Sequence, residues 1–107
     1  MLSIKIDSIS ELKDSEAEKA NNFIHIVEQC LNLYIEKNRR YGESFSKQYA
    51  DFGNLSAALR LTDKVERLKS LVKNPDDYGD EPITDTLKDI ANYAIMTLME
   101  IEKNKKE

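Results

Sequence analysis

Two short segments carry acids at helical spacing. In "DKVERL" Asp63 and Glu66 stand three residues apart, and in "DTLKDIANYAIM" Asp85, Asp89 and Asn92 follow at steps of four and three. At about 100° per residue, Asp63 and Glu66 lie about 60° apart on a helix, and Glu81, Asp85, Asp89 and Asn92 fall within roughly 80° of one another. Two such helices side by side would gather four carboxylates. These are the hard oxygen donors that Mg²⁺ takes, with substrate phosphates completing its shell. The same acids could instead form an ordinary charged surface, with Asp63 and Glu66 paired to Lys64, Arg67 or Lys69 and Asp85 paired to Lys88. Spacing alone leaves both open.

The line through Asp89 and Asn92 runs on into Met96 and Met99. A side that starts charged and ends apolar is one that packs on something, a neighbouring subunit included. Carboxylates on it then need a counter-charge, because an unpaired buried ion costs several kcal/mol. The segment carrying Asp63 and Glu66 shows the same change of character, with Leu55 and Leu59 on its acidic side.

The elements that must position these residues follow from periodicity. Ala20, Phe23, Ile24, Val27, Leu31 and Tyr34 recur at steps of three and four and predict a long helix from about 15 to 38. Ser44 opens a short helix through Phe45, Tyr49 and Phe52. Gly53 or Asn54 starts a third helix to about Val72, with Leu61, Val65, Leu68 and Val72 as its core stripe. "KNPDDYGDEP" breaks the chain, and Pro82 suits the first turn of a fourth helix to about Lys103. Its stripe is Ile83, Leu87, Ile90, Ala94, Leu98 and Ile101. The expected fold is all-α, a helical bundle of three long helices and one short one. The doubly used faces of helices three and four point to completion by oligomerisation. Residues 1–14 form an N-terminal arm of undecided conformation, 15–103 the helical domain and 104–107 a charged tail.

Composition limits the function classes. The 107 residues, 34% of them charged, carry a formal charge of −4, with bases interleaved among acids, a poor match to a nucleic-acid backbone. Direct nucleic-acid binding is not expected. A single cysteine, Cys30, offers neither a disulfide nor a cysteine zinc site, and no apolar run approaches the roughly 20 residues of a membrane span. The expectation is a soluble, cytoplasmic protein. Cys30 borders the apolar face and reads as a small packed hydrophobe, while His25 falls off that face and is assigned no chemistry. Gly42 marks a tight turn after the first helix. The chain has no P-loop, GxGxxG or GxSxG motif, so a nucleotide would have to be held by the metal and the bundle.

Three segments in order, "YGESF" (41–45), "DKVERL" (63–68) and "DTLKDIANYAIM" (85–96), resemble the nucleotide modification associated domain family, placed near the MazG-like all-α NTP pyrophosphohydrolases. The resemblance implies a bundle assembled as a homodimer or homotetramer that acts on a nucleotide, in phage nucleotide or DNA modification. Mg²⁺, or Mn²⁺ in its place, would be held by acids from adjacent helices. Asp63 and Glu66 match the first acidic pair in spacing, and Asp85 and Asp89 match the second. By this resemblance Asp63, Glu66, Asp85 and Asp89 are the metal ligands, and a carboxylate, Glu66 or Asp89, orients or deprotonates the water that attacks the α-phosphorus. Lys37, Arg40, Tyr41, Lys64, Arg67 and Asn92 are the substrate-binding candidates. Three departures stand out: Asp63 is a shorter acid than the glutamate of the broader pattern, Thr86 replaces an acid, and Arg40 stands where related sequences often carry one. The competing reading keeps the fold without catalysis, as a helical oligomerisation or nucleotide-binding accessory module.

Overall fold

The computed structural model describes residues 13–74 and 81–106, and these form four helices with no strand among them. They are α1 (Asp14–Tyr41), α2 (Ser44–Phe52), α3 (Asn54–Lys73) and α4 (Glu81–Lys106). Most of the expected arm, and the segment 75–80, lie outside the described residues. The expected order of three long helices and one short one is present. α4 runs beyond Lys103 to Lys106, taking in most of the stretch expected as a charged tail.

Glycine sets both tight turns. Gly42 ends α1 in the left-handed region, at φ 58°, and its N–H returns to the carbonyl of Asn38 at 3.0 Å. Glu43 follows, also left-handed at φ 59°, so the chain reverses within two residues. Gly53 alone separates α2 from α3 at φ 63° and ψ −148°, a conformation open essentially only to glycine. Its carbonyl accepts from the Ser56 hydroxyl at 2.9 Å, which secures the start of α3.

α3 and α4 run antiparallel and form the main packing pair, with Arg60 beside Tyr93 and, a turn further along α3, Lys64 beside Asp89. α1 packs on α4, and α2 folds back on α3. The core centres on Phe45, Tyr49 and Ala57, covered by Tyr93, Met96 and Ile101. Phe45 stacks on both Tyr49 and Tyr93, with ring centroids 6.3 and 5.9 Å apart. Cys30 is a buried free cysteine, as its place on α1 implied.

The faces that pack differ from the apolar stripes. On α3 the buried side carries Ser56, Ala57 and Leu71, with Arg60 and Lys64 half-buried between them, whereas Val65 and Val72 are exposed. On α4 it carries Thr86, Asp89, Asn92, Tyr93 and Met96, while Leu87, Ala94 and Leu98 of the expected stripe face outward. The centre of this inward face lies roughly 130° around the helix from that of the apolar stripe, of which Ile83, Ile90 and Ile101 are half-buried. On α1, Phe23 is 72% exposed, against its place in the stripe.

Candidate functional site

From Asp89 through Asn92 to Met96 the polar line of α4 is covered by the chain's own helices, while Asp85 before it and Met99 after it are exposed. Asp89 sits where α1 and α3 meet α4, and each of its carboxylate oxygens has its own ammonium. Lys37, from α1, donates to Oδ1 at 2.7 Å, and Lys64, from α3, stands 3.1 Å from Oδ2. Burial raises the Asp89 carboxyl pKa, but the hydrogen bonds and charges of Lys37 and Lys64 outweigh it and hold the group below its usual range. The carboxylate is thus fully ionised and well compensated. Such a group is a weak proton acceptor.

Beside this triad opens a cleft of about 360 Å³. Its charged walls are Lys37, Lys64 and Arg60 against Asp89 and Glu43, and its aromatic walls are Tyr34, Tyr41, Phe45 and Tyr93. Asn38, Ser44, Asn92 and Met96 complete it. The turn at Gly42 brings Tyr41 and Glu43 to the mouth, so the first and last segments singled out in the sequence do meet.

Arg60 was not among the sequence candidates, and it is the most elaborately held cation here. Its Nε donates to Gln48 Oε1 at 2.7 Å, its Nη1 lies 3.4 Å from the Tyr93 hydroxyl, and its guanidinium rides 5.5 and 5.6 Å from the Phe45 and Tyr93 ring centres. The signal for it was its place one helical turn before Lys64 and one after Ser56, on the same side of α3 as both. Asn92 has a structural bond as well as a place in the cleft wall: its amide donates to the backbone carbonyl of Cys30 at 3.0 Å.

Of the substrate-binding candidates, Lys37, Tyr41, Lys64 and Asn92 line the cleft. Arg40 pairs on the surface with Glu36, and Arg67 is exposed. The four metal candidates are not brought to one place in the single chain. Asp63 and Asp85 are exposed, Glu66 pairs with Lys69 at 3.2 Å on the surface of α3, and Asp89 is taken by its two lysines. Among the described residues no three His, Cys, Asp or Glu side chains are grouped to hold a metal ion. The residues of one chain therefore do not fit the expected Mg²⁺, which needs several free oxygens in near-octahedral array. No described helix is long and apolar enough to cross a membrane.

Residues 37–101 match the family model described as Nucleotide modification associated domain 1. This span is more than half the chain and contains every residue of the cleft wall except Tyr34. No curated protein and no solved structure matches the chain.

Proposed function

This chain belongs to the nucleotide modification associated domain 1 family, and on that premise we propose that it is a nucleotide-binding accessory module whose ligand enters the cleft between α1, α3 and α4. One observation carries the reading: three cationic side chains from two helices converge beside four aromatic rings, on a chain whose net charge is −4. Lys37 and Lys64 suit phosphate oxygens, Arg60 adds a guanidinium fork, and the aromatic walls offer a surface for a base. The pairing of Asp89 supports the accessory role. Glu43 and Asp89 are the carboxylates of the cleft wall among the described residues, and Asp89 is too strongly paired to serve as a general base.

The same reading includes a second copy of the chain. Among the described residues, five hydrophobic side chains are buried while thirteen large ones are exposed, a balance that a partner surface would correct.

The test is calorimetric titration of the chain with deoxynucleoside mono- and triphosphates, followed by a pyrophosphate-release assay with Mg²⁺. Saturable binding that falls on the order of tenfold in Lys64→Gln, about 1.4 kcal/mol, with no pyrophosphate released, is the expected result. Turnover with Mg²⁺ would instead return the MazG-like hydrolase reading, and no nucleotide binding at all would remove both.

A further inference from the structure

The anion that draws Lys37 and Lys64 together belongs to neither of their helices. Lys37 is on α1, Lys64 on α3, and the carboxylate between them comes from α4, one oxygen to each ammonium at 2.7 and 3.1 Å. Two oxygens of a phosphate are spaced much as the two of a carboxylate, so cations set for one are set for the other. Both lysines line the cleft and keep part of their length in solvent, 44% and 29% exposed, whereas the Asp89 side chain is 14% exposed. An anion arriving through the cleft therefore has access to the ammonium groups. Arg60, a turn from Lys64 on the same helix, lines the same cleft with its plane already fixed by Gln48 and the two rings.

Resting on the nucleotide-binding reading above, we infer that Asp89 occupies the ligand's own phosphate site, as a built-in carboxylate that a phosphate monoester displaces from Lys37 and Lys64. A terminal phosphate brings close to two negative charges where Asp89 brings one, and a further oxygen to which Arg60 can donate. Ligand binding then exchanges one bridge for another. In the free chain Asp89 ties α4 to α1 and α3; with nucleotide bound, the phosphate ties α1 to α3 and α4 is released from both lysines. The part of the affinity used to displace Asp89 is lost from the observed constant, as for any site whose competent form is only a fraction of the population. A purely structural ion bridge makes the opposite demand, because its loss would disorder the lysines and weaken the site. So does a metal ligand at this position.

The experiment is calorimetry on the full chain, wild type and Asp89→Asn, with a deoxynucleoside 5′-monophosphate, the matching nucleoside and inorganic phosphate as probes. Asp89→Asn is expected to bind the monophosphate on the order of tenfold more tightly than wild type, with nucleoside binding unchanged. A parallel gain for inorganic phosphate identifies the phosphate itself as the competing group; a gain confined to the nucleotide shows that base and phosphate are read together. Equal or weaker monophosphate binding by Asp89→Asn, with wild type binding normally, overturns the displacement and leaves the nucleotide reading standing. Absence of nucleotide binding in both proteins overturns that reading itself. A second measurement needs no variant: the ¹³C carboxyl resonance of Asp89 in wild-type protein should move on saturation with the monophosphate. A resonance that stays in place while the ligand binds would equally overturn the displacement.

Discussion

Asn92 donates its side-chain amide to the backbone carbonyl of Cys30 at 3.0 Å, joining α4 to α1 through a pair of buried residues. Because the acceptor is backbone, no substitution at residue 30 replaces it, and the bond depends on the donor of residue 92 alone. Asn92→Ala is expected to lower stability by about 1–2 kcal/mol, the cost of a lost buried hydrogen bond and its packing. Asn92→Asp should cost more at neutral pH, since an ionised carboxylate would face a carbonyl with no proton to give. Acid should restore part of that loss by protonating it. Chemical denaturation at two pH values checks both the order and the pH effect.

The ion triad predicts how acid acts on the wild-type chain. Asp89 has a folded-state pKa below its unfolded value of about 3.9, so its contribution to stability is fully present above that value. It is lost as pH falls through the lowered folded value. Facing it are Lys37 on α1 and Lys64 on α3. Denaturation midpoints measured from pH 6 to pH 2 should therefore fall more steeply for wild type than for Asp89→Asn. Parallel curves would show that the triad contributes nothing to the acid response.

Arg60 is held by shape as much as by charge. Arg60→Lys keeps the positive charge but loses the planar contact with Phe45 and Tyr93 and the Nε bond to Gln48. Stability should fall by about 1–2 kcal/mol despite the conserved charge. A thermal scan of the Lys and Met variants side by side would separate the two contributions: nearly equal losses mark shape, a much larger loss in Met marks charge.

The residues of the cleft show which parts of the structure were legible in the sequence. Helix existence and order, the turn at Gly42 and the burial of Cys30 followed from periodicity and backbone preference, which are local properties. The rotation of α3 and α4 did not, because periodicity assigns aliphatic residues inward. Here Thr86, Asp89 and Asn92 are tolerable inside only because partners on α1 and α3, and Pro82 O for Thr86, satisfy them. Arg60 is the same case, since Gln48 and Tyr93 are distant in sequence and their contact with it carries no sequence period. The need for a counter-charge beside a partly buried Asp89 was legible; that Lys37 and Lys64 stand beside it was not.

Leu87, Ile95 and Leu98 stand on the outward side of α4 at 47%, 45% and 64% exposure. They fall within roughly 80° of one another around the helix and form one apolar strip. Self-association is expected through this strip, so sedimentation at micromolar concentration should show a dimer or larger species. Leu98→Lys should shift it toward monomer while the circular dichroism stays helical. A wild-type monomer would remove the second copy from the reading, leaving the cleft untouched.

The acids of α3 provide the sharpest separation between nucleotide binding and metal-dependent hydrolysis. Asp63 is exposed, and Glu66 is paired with Lys69 at the surface, where such pairs contribute little. Asp63→Asn and Glu66→Gln should each change stability by no more than about 0.5 kcal/mol and leave nucleotide affinity unaltered, whereas Lys64→Gln, on the same helix, weakens it. Mg²⁺ or Mn²⁺ titrated into the chain without nucleotide should show no saturable binding, because Asp89, the one candidate ligand lodged in the cleft, already gives both oxygens to lysine. The metal reading requires the reverse at each point: saturable metal binding in wild type, its loss in Glu66→Gln, and a parallel loss of pyrophosphate release. Finding that set together would mean that a second copy brings the acids of α3 and α4 to one place. Asp89 would then have to leave its two lysines for the metal, and in that case Asp89→Asn would weaken nucleotide binding instead of strengthening it.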